Sequence, residues 1–176
     1  MDHLHQRPAP GEYNEYFGKY IGRVPTGDIS VILRDQLEDT RAVLRTVPPG
    51  GGDSAYGPGK WTIKEVVGHI TDTERIMAYR ALRIARSDQT ELAGFDENTY
   101  VPAASFGERD LASIVEEFAT VRAATIALFR GLPHEAWPRR GVASGHPVSV
   151  RALAAIIAGH ELHHRNLLET RYLGRS

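Results

Sequence analysis

The sequence predicts an all-α protein built as a four-helix bundle, and three observations carry that expectation. Apolar residues recur with a helical period in four separate segments. Each segment is bounded by capping or breaking residues, and no strand pattern of any length competes with them. The length of 176 residues, with 41% apolar and 24% charged side chains, suits one well-packed domain rather than two.

Residues 1–27 are rich in Pro, Gly and aromatics without a sustained period, and read as an extension lying on or beside the bundle. Tyr16, Phe17 and Tyr20 are the candidates for packing it down. The bundle is expected over residues 28–173. Its first helix has Asp28 as N-cap and runs to about Val47 along Ile29, Ile32, Leu33, Leu37, Val43, Leu44 and Val47. Pro48-Pro49-Gly50-Gly51-Gly52 then stops it. The second helix starts at Thr62-Ile63-Lys64-Glu65, a capping box in which Thr62 and Glu65 satisfy each other's amides. Trp61 is placed to staple onto Val66, and the helix is expected to reach about Ser87.

The segment Asp88 to Phe106 is long for a bundle connection, a length more often seen in functional loops. A third helix is expected from about Glu108 to Arg130, with Leu111, Ile114, Val115, Phe118, Val121, Thr125, Leu128 and Phe129 on one face and Gly131 at its C′ position. Irregular chain from Leu132 to Pro147 precedes a fourth helix, capped by Ser149 and reaching about Tyr172.

Composition removes several functions. The formal charge of -1 gives no electrostatic reason to expect nucleic acid or an anionic membrane. With no cysteine, thiolate nucleophiles, disulfides and sulfur-ligated metals are excluded. Met1 to Gly11 lacks a basic region leading into an apolar run, and the longest apolar run, Ala152 to Gly159, is too short to span a bilayer, so a cytoplasmic protein is expected.

The chemistry points to histidine. His160 and His164 both fall on the apolar stripe of the fourth helix, which continues through Leu153, Ile156, Ile157, Leu167 and Leu168. A spacing of four puts their Cβ atoms about 5–6 Å apart. Two imidazoles in a low-dielectric core need partners; a metal would serve both, and so would hydrogen bonds to Tyr or Asp. His69, on the core side of the second helix, can meet them across the bundle. Three imidazoles would leave coordination positions open, as in catalytic sites. Asp72 and Glu161 are candidates to orient a ligand ring or accept a proton, although both also fit a solvated face, the more so Glu161. His163 is rotated away and would become a ligand only if the last helix were wound differently. His134 and His146 read as exposed, and His3 and His5 as tail residues.

These residues carry a family resemblance. Trp61-Thr62-Ile63-Lys64-Glu65-Val66-Val67-Gly68-His69-Ile70-Thr71-Asp72-Thr73-Glu74, then Gly94-Phe95-Asp96-Glu97, then Ala158-Gly159-His160-Glu161-Leu162-His163-His164 together resemble the DinB/YfiT-like superfamily of metal-binding four-helix bundles. The resemblance covers residues 28–173. It implies one divalent ion, commonly zinc or nickel, on His69, His160 and His164. Its members include metal-dependent hydrolases, isomerases and S-transferases that use a low-molecular-weight thiol such as bacillithiol, mycothiol or glutathione. The expectation is therefore a metal-dependent transferase or hydrolase acting on a small electrophile, or else a non-catalytic metal-binding module. Arg139, Arg140 and Arg151 could bind a carboxylate, and Phe95, Tyr100 and Trp137 could line the pocket mouth, although solubility or packing suits each as well. A homodimer is compatible with the amphipathic helices, with no face singled out.

Overall fold

In the computed structural model, which describes residues 7–175, one short helix α1 (Gly18–Ile21) is followed by the long helices α2 (Ile29–Leu44), α3 (Ile63–Ala85), α5 (Leu111–Arg130) and α6 (Val150–Leu167). A short helix, α4 (Glu97–Ala103), lies between α3 and α5. His3 and His5 lie outside the described residues.

Local chemistry sets the helix ends as the sequence suggests. Asp28 accepts from the amides of Ser30 and Val31, and the Thr62–Glu65 capping box is complete. Ser149 accepts from Ala152 N at 3.1 Å. The third long helix begins after Asp110 rather than near Glu108, because Phe106–Glu108 winds as a separate 3-10 turn. At the other end of α6, Leu168–Tyr172 forms a π-helical turn, and Tyr172 Oη donates to the Trp61 carbonyl at 2.5 Å.

Both α3 and α2 pack against α5 and α6, so α2 and α3 are diagonal, as are α5 and α6. A diagonal crossing needs a longer connection than a hairpin turn between neighbours. That accounts for the irregular stretches at 45–62 and 131–149. The second stretch departs from the strand-free expectation: β1 (Arg140–Ala143) and β2 (His146–Ser149) pair as an antiparallel hairpin. Its two loop residues, Ser144 and Gly145, both have positive φ, at 54° and 75°, the backbone of a tight primed turn. Leu92 joins the hairpin's edge through its amide to the Val142 carbonyl and its carbonyl to the Ser144 amide, each at 2.9 Å. Four-residue strands are too short to show a period of two, which is why the pattern is invisible in the sequence.

Helix α6 is the central element, buried continuously from Ala152 to Glu161. Its Gly159 allows α1 to approach: a Cβ there would stand 2.2 Å from the Tyr20 carbonyl oxygen. Below the histidines lies a buried ionic network. Arg122 on α5, fully buried, donates to Glu74 on α3 at 2.8–3.1 Å, to Glu161 on α6 at 2.6 Å and to the Leu33 carbonyl on α2 at 2.9 Å. Thr40 of α2 donates to the other Glu161 oxygen at 2.6 Å. All four long helices meet at one guanidinium. Among the described residues, no helix is long and apolar enough to cross a membrane.

The N-terminal segment is fastened to the start of α6 by Glu12, which is 1% exposed. Its carboxylate accepts from Arg151 Nε at 2.7 Å, Ser149 Oγ at 2.7 Å and the Ala9 amide at 3.0 Å. Burial opposes the charge, but these donors outweigh it and hold the carboxyl down at about 2, against 4.5 ordinarily. A depressed carboxylate stabilises the fold above its unfolded value, and that contribution is lost as pH falls from 4.5 toward 2. The substitution Glu12→Gln is expected to remove about 2 kcal/mol near neutral pH. The gap in melting temperature between wild type and variant should close between about pH 5 and about pH 2.5. A constant gap across that range would contradict the role given to Glu12.

Candidate metal centre

Helix α3 delivers His69 and helix α6 delivers His160 and His164 to one point. His160 Nε2 lies 3.0 Å from His69 Nε2 and 3.1 Å from His164 Nε2, and all three rings are buried. The i, i+4 spacing on α6 stacks two of the rings edge to face, with centroids 4.5 Å apart. Trp61 packs on His69 from one side at 4.8 Å and Tyr20 on His160 from the other at 5.5 Å. Trp61 packs with the same apolar cluster as Val66, as its position before the capping box suggests.

Burial keeps the three imidazoles neutral. His69 is pulled down to about 4 and His164 to about 3, each chiefly by loss of hydration. His160 is held well below its ordinary value by burial and then by the neighbouring rings. Neutral imidazoles present lone pairs, the state needed for ligation.

The residues fit a metal ion. A ring nitrogen is either donor or acceptor, so three Nε2 atoms gathered around one point cannot all satisfy one another. His164 Nδ1 is buried without a hydrogen-bond partner among the described residues. A shared cation would give every Nε2 lone pair a partner. Ligand nitrogens in a tetrahedral site with bonds of about 2.0–2.1 Å stand about 3.3–3.4 Å apart. The two pairs that share His160 fall a few tenths of an ångström short of that, and all three ligand atoms lie within 4.8 Å of one another. His69, His160 and His164 form the metal-capable group among the described residues.

The cluster forms the floor of a cavity of about 230 Å³, walled by Phe17, Thr73, Met77, Phe95 and Ile156 and rimmed by the exposed Tyr16 and Ser144. The other candidates are distributed differently. His163 stacks on Tyr20 at 5.3 Å and stays outside the triad. Asp72 is half-buried beside Arg75, at 3.4 Å, and does not line the cavity. Glu161 is fully buried, not on a solvated face, because α6 has no such face there; its carboxylate belongs to Arg122 and Thr40.

Arg139, Arg140 and Arg151 turn instead to the Ala85 carbonyl, the Gly11 carbonyl and Glu12. Phe95 does line the cavity, whereas Trp137 is buried against Phe129 and Tyr100 stands outside against Phe95. His134 and His146 are exposed, as expected. Two functional candidates escape the sequence reading. Glu97, at the first turn of α4, lines the cavity and its charge acts on His69. Arg80 lines it too, its place set by the fold of the loop and hairpin around it. The Gly94-Phe95-Asp96-Glu97 motif was a signal for Glu97; Arg80 had none.

Comparison with known proteins agrees with the fold. The family model described as the DinB superfamily matches residues 32–168. The fold is similar to that of YfiT from Bacillus subtilis, described as a probable metal-dependent hydrolase with an unusual four-helix bundle topology. The TM-score is 0.74 over the whole of both chains, at 16% sequence identity. No curated protein matches the sequence significantly.

Proposed function

The chain belongs to the DinB superfamily, and from that premise we propose a metal-dependent enzyme of hydrolase type that acts on a small electrophilic substrate. The observation that carries the proposal is the convergence of three neutral Nε2 atoms on the floor of an open cavity. His69, His160 and His164 would hold one divalent ion, with zinc or nickel proposed. The description of YfiT supports the same reading. When bound, such an ion supplies Lewis acidity, which lowers the pKa of a nucleophile and polarises an electrophile.

The chain's own residues supply the remainder. Trp61 and Tyr20 brace two of the rings in orientation. Phe17, Met77 and Ile156 exclude water from the apolar part of a substrate. With Glu161 engaged by Arg122 and Asp72 off the cavity, Glu97 is the carboxylate placed to take a proton from an incoming nucleophile. A transferase form of the proposal has its own supporting observation. The chain has no cysteine, so a sulfur nucleophile must arrive as a low-molecular-weight thiol cosubstrate.

A panel of activated esters, and thiols paired with an aryl halide, tests the proposal. Zinc- or nickel-loaded protein is expected to turn over at least one pair, and a chelator to abolish it. Glu97→Gln should lower kcat about a hundredfold with metal content unchanged. Loaded protein no faster than free ion on every pair would favour the non-catalytic module instead.

A further inference from the structure

At the end of the cavity away from the histidines, Arg80 is 5% exposed and makes no ion pair among the described residues. Its Nη2 donates to the Ala93 carbonyl at 2.6 Å and to Ser144 Oγ at 3.1 Å, and its Nη1 meets Met77 Sδ at 3.6 Å. The Phe95 ring covers the guanidinium, 5.7 Å from Cζ to the ring centre. Every one of these partners is neutral. The contrast within the same protein is sharp. Arg122 has Glu74 and Glu161, and Arg151 has Glu12.

A guanidinium withdrawn from water without a counter-ion is unfavourable unless a ligand provides the anion. Burial pulls its pKa below the ordinary arginine value, with no carboxylate acting against that shift. Three donors remain for such a ligand. The Nε–H and the second Nη1–H of Arg80 make no hydrogen bond among the described residues, and Ser144 Oγ, which accepts from Arg80, keeps its own proton to give. Ser144 is held in the left-handed backbone conformation, φ 54°, by the hairpin turn. The carboxylate that lines the cavity, Glu97, acts on His69 and Tyr20 and not on Arg80. The side chains alone thus put negative charge at the histidine end, where a divalent ion would offset it, and leave the far end positive.

We propose that Arg80 and Ser144 bind the carboxylate of the substrate, and that the substrate is an elongated electrophile with that carboxylate remote from its reacting group. The inference rests on the proposed function in taking this cavity as the substrate site. The length follows from α3. Eleven residues separate His69 from Arg80, a rise of about 16 Å, shortened by the reach of the arginine side chain toward the helix N-terminus.

The test is binding of 4-phenylbutyrate and of its neutral amide to chelator-treated protein, so that no ion attracts the acid. The acid is expected to bind about tenfold or more tightly than the amide. Arg80→Gln should erase that preference while leaving amide affinity and zinc uptake unchanged, and Arg80→Lys should keep part of it. If Arg80→Gln does not fold, Arg80→Lys and Ser144→Ala carry the same comparison. Equal affinity for acid and amide, no saturable binding of the acid, or a preference that survives loss of the guanidinium each overturns the proposal. A protein that takes up no divalent ion yet keeps the Arg80-dependent preference would refute the metal enzyme and leave the carboxylate site standing.

Discussion

Replacing Arg122 by methionine is expected to destabilise the protein by about 3–5 kcal/mol. For a chain of this size, that lowers the melting temperature by roughly 6–20 °C. The reason lies in what the substitution leaves behind. Glu74, 2% exposed, and Glu161, fully buried, would face each other without the guanidinium that both now share. Two uncompensated carboxylates in a low-dielectric interior are far worse than the same volume filled by apolar atoms. A triple variant, Glu74→Gln with Arg122→Met and Glu161→Gln, should therefore recover much of the loss. Urea denaturation of the three proteins checks this. A loss below about 1 kcal/mol in the single variant would show that the network is not holding the helices. Because Glu161 follows His160 and Glu74 follows Thr73, the same network sets the two helices that bear the histidines.

Zinc is expected to raise the melting temperature of wild-type protein by roughly 8–16 °C when the free ion exceeds its Kd about a thousandfold. A ligand that binds only the folded state then contributes about 4 kcal/mol, and a protein of this length shifts by about 2–4 °C per kcal/mol. The shift should vanish in His160→Ala, whose ring lies between the other two Nε2 atoms. Measuring each protein with and without zinc separates ion binding from any folding defect of the variant. A zinc-induced rise of the same size in His160→Ala would remove the tri-histidine site from the account.

Three of the long helices, α2, α3 and α6, were legible because each carries its own start signal, whereas α5, without a side-chain cap at Asp110, starts later than its apolar period suggests. Thr62–Glu65, Asp28 and Ser149 act on amides within a turn of themselves, so their effect is local and readable. The histidine triad was legible for a related reason. His160 and His164 interrupt an apolar stripe at a spacing that only a helix brings together, and His69 sits on a core-facing row. Arg122 was not legible. Apolar periodicity counts the residues that obey it, so a buried arginine among Phe118, Thr125 and Phe129 reads as noise until its partners on other helices are known.

Glu161 was misplaced on a solvated face for a different reason. Angular position on a helix assigns a solvent side only if the helix has one, and α6 is enclosed from Ala152 to Glu161. The role of Arg80 depends on Ser144, 64 residues away, and on a hairpin too short to have a period.

The most direct test of the central claim is the metal content of untagged protein, measured by plasma mass spectrometry beside His160→Ala. The account predicts about one zinc or nickel ion per chain in the wild type and none retained by the variant. Folded wild-type protein that carries no divalent ion and takes none up when it is offered would contradict it, leaving three buried histidines that only neighbour one another.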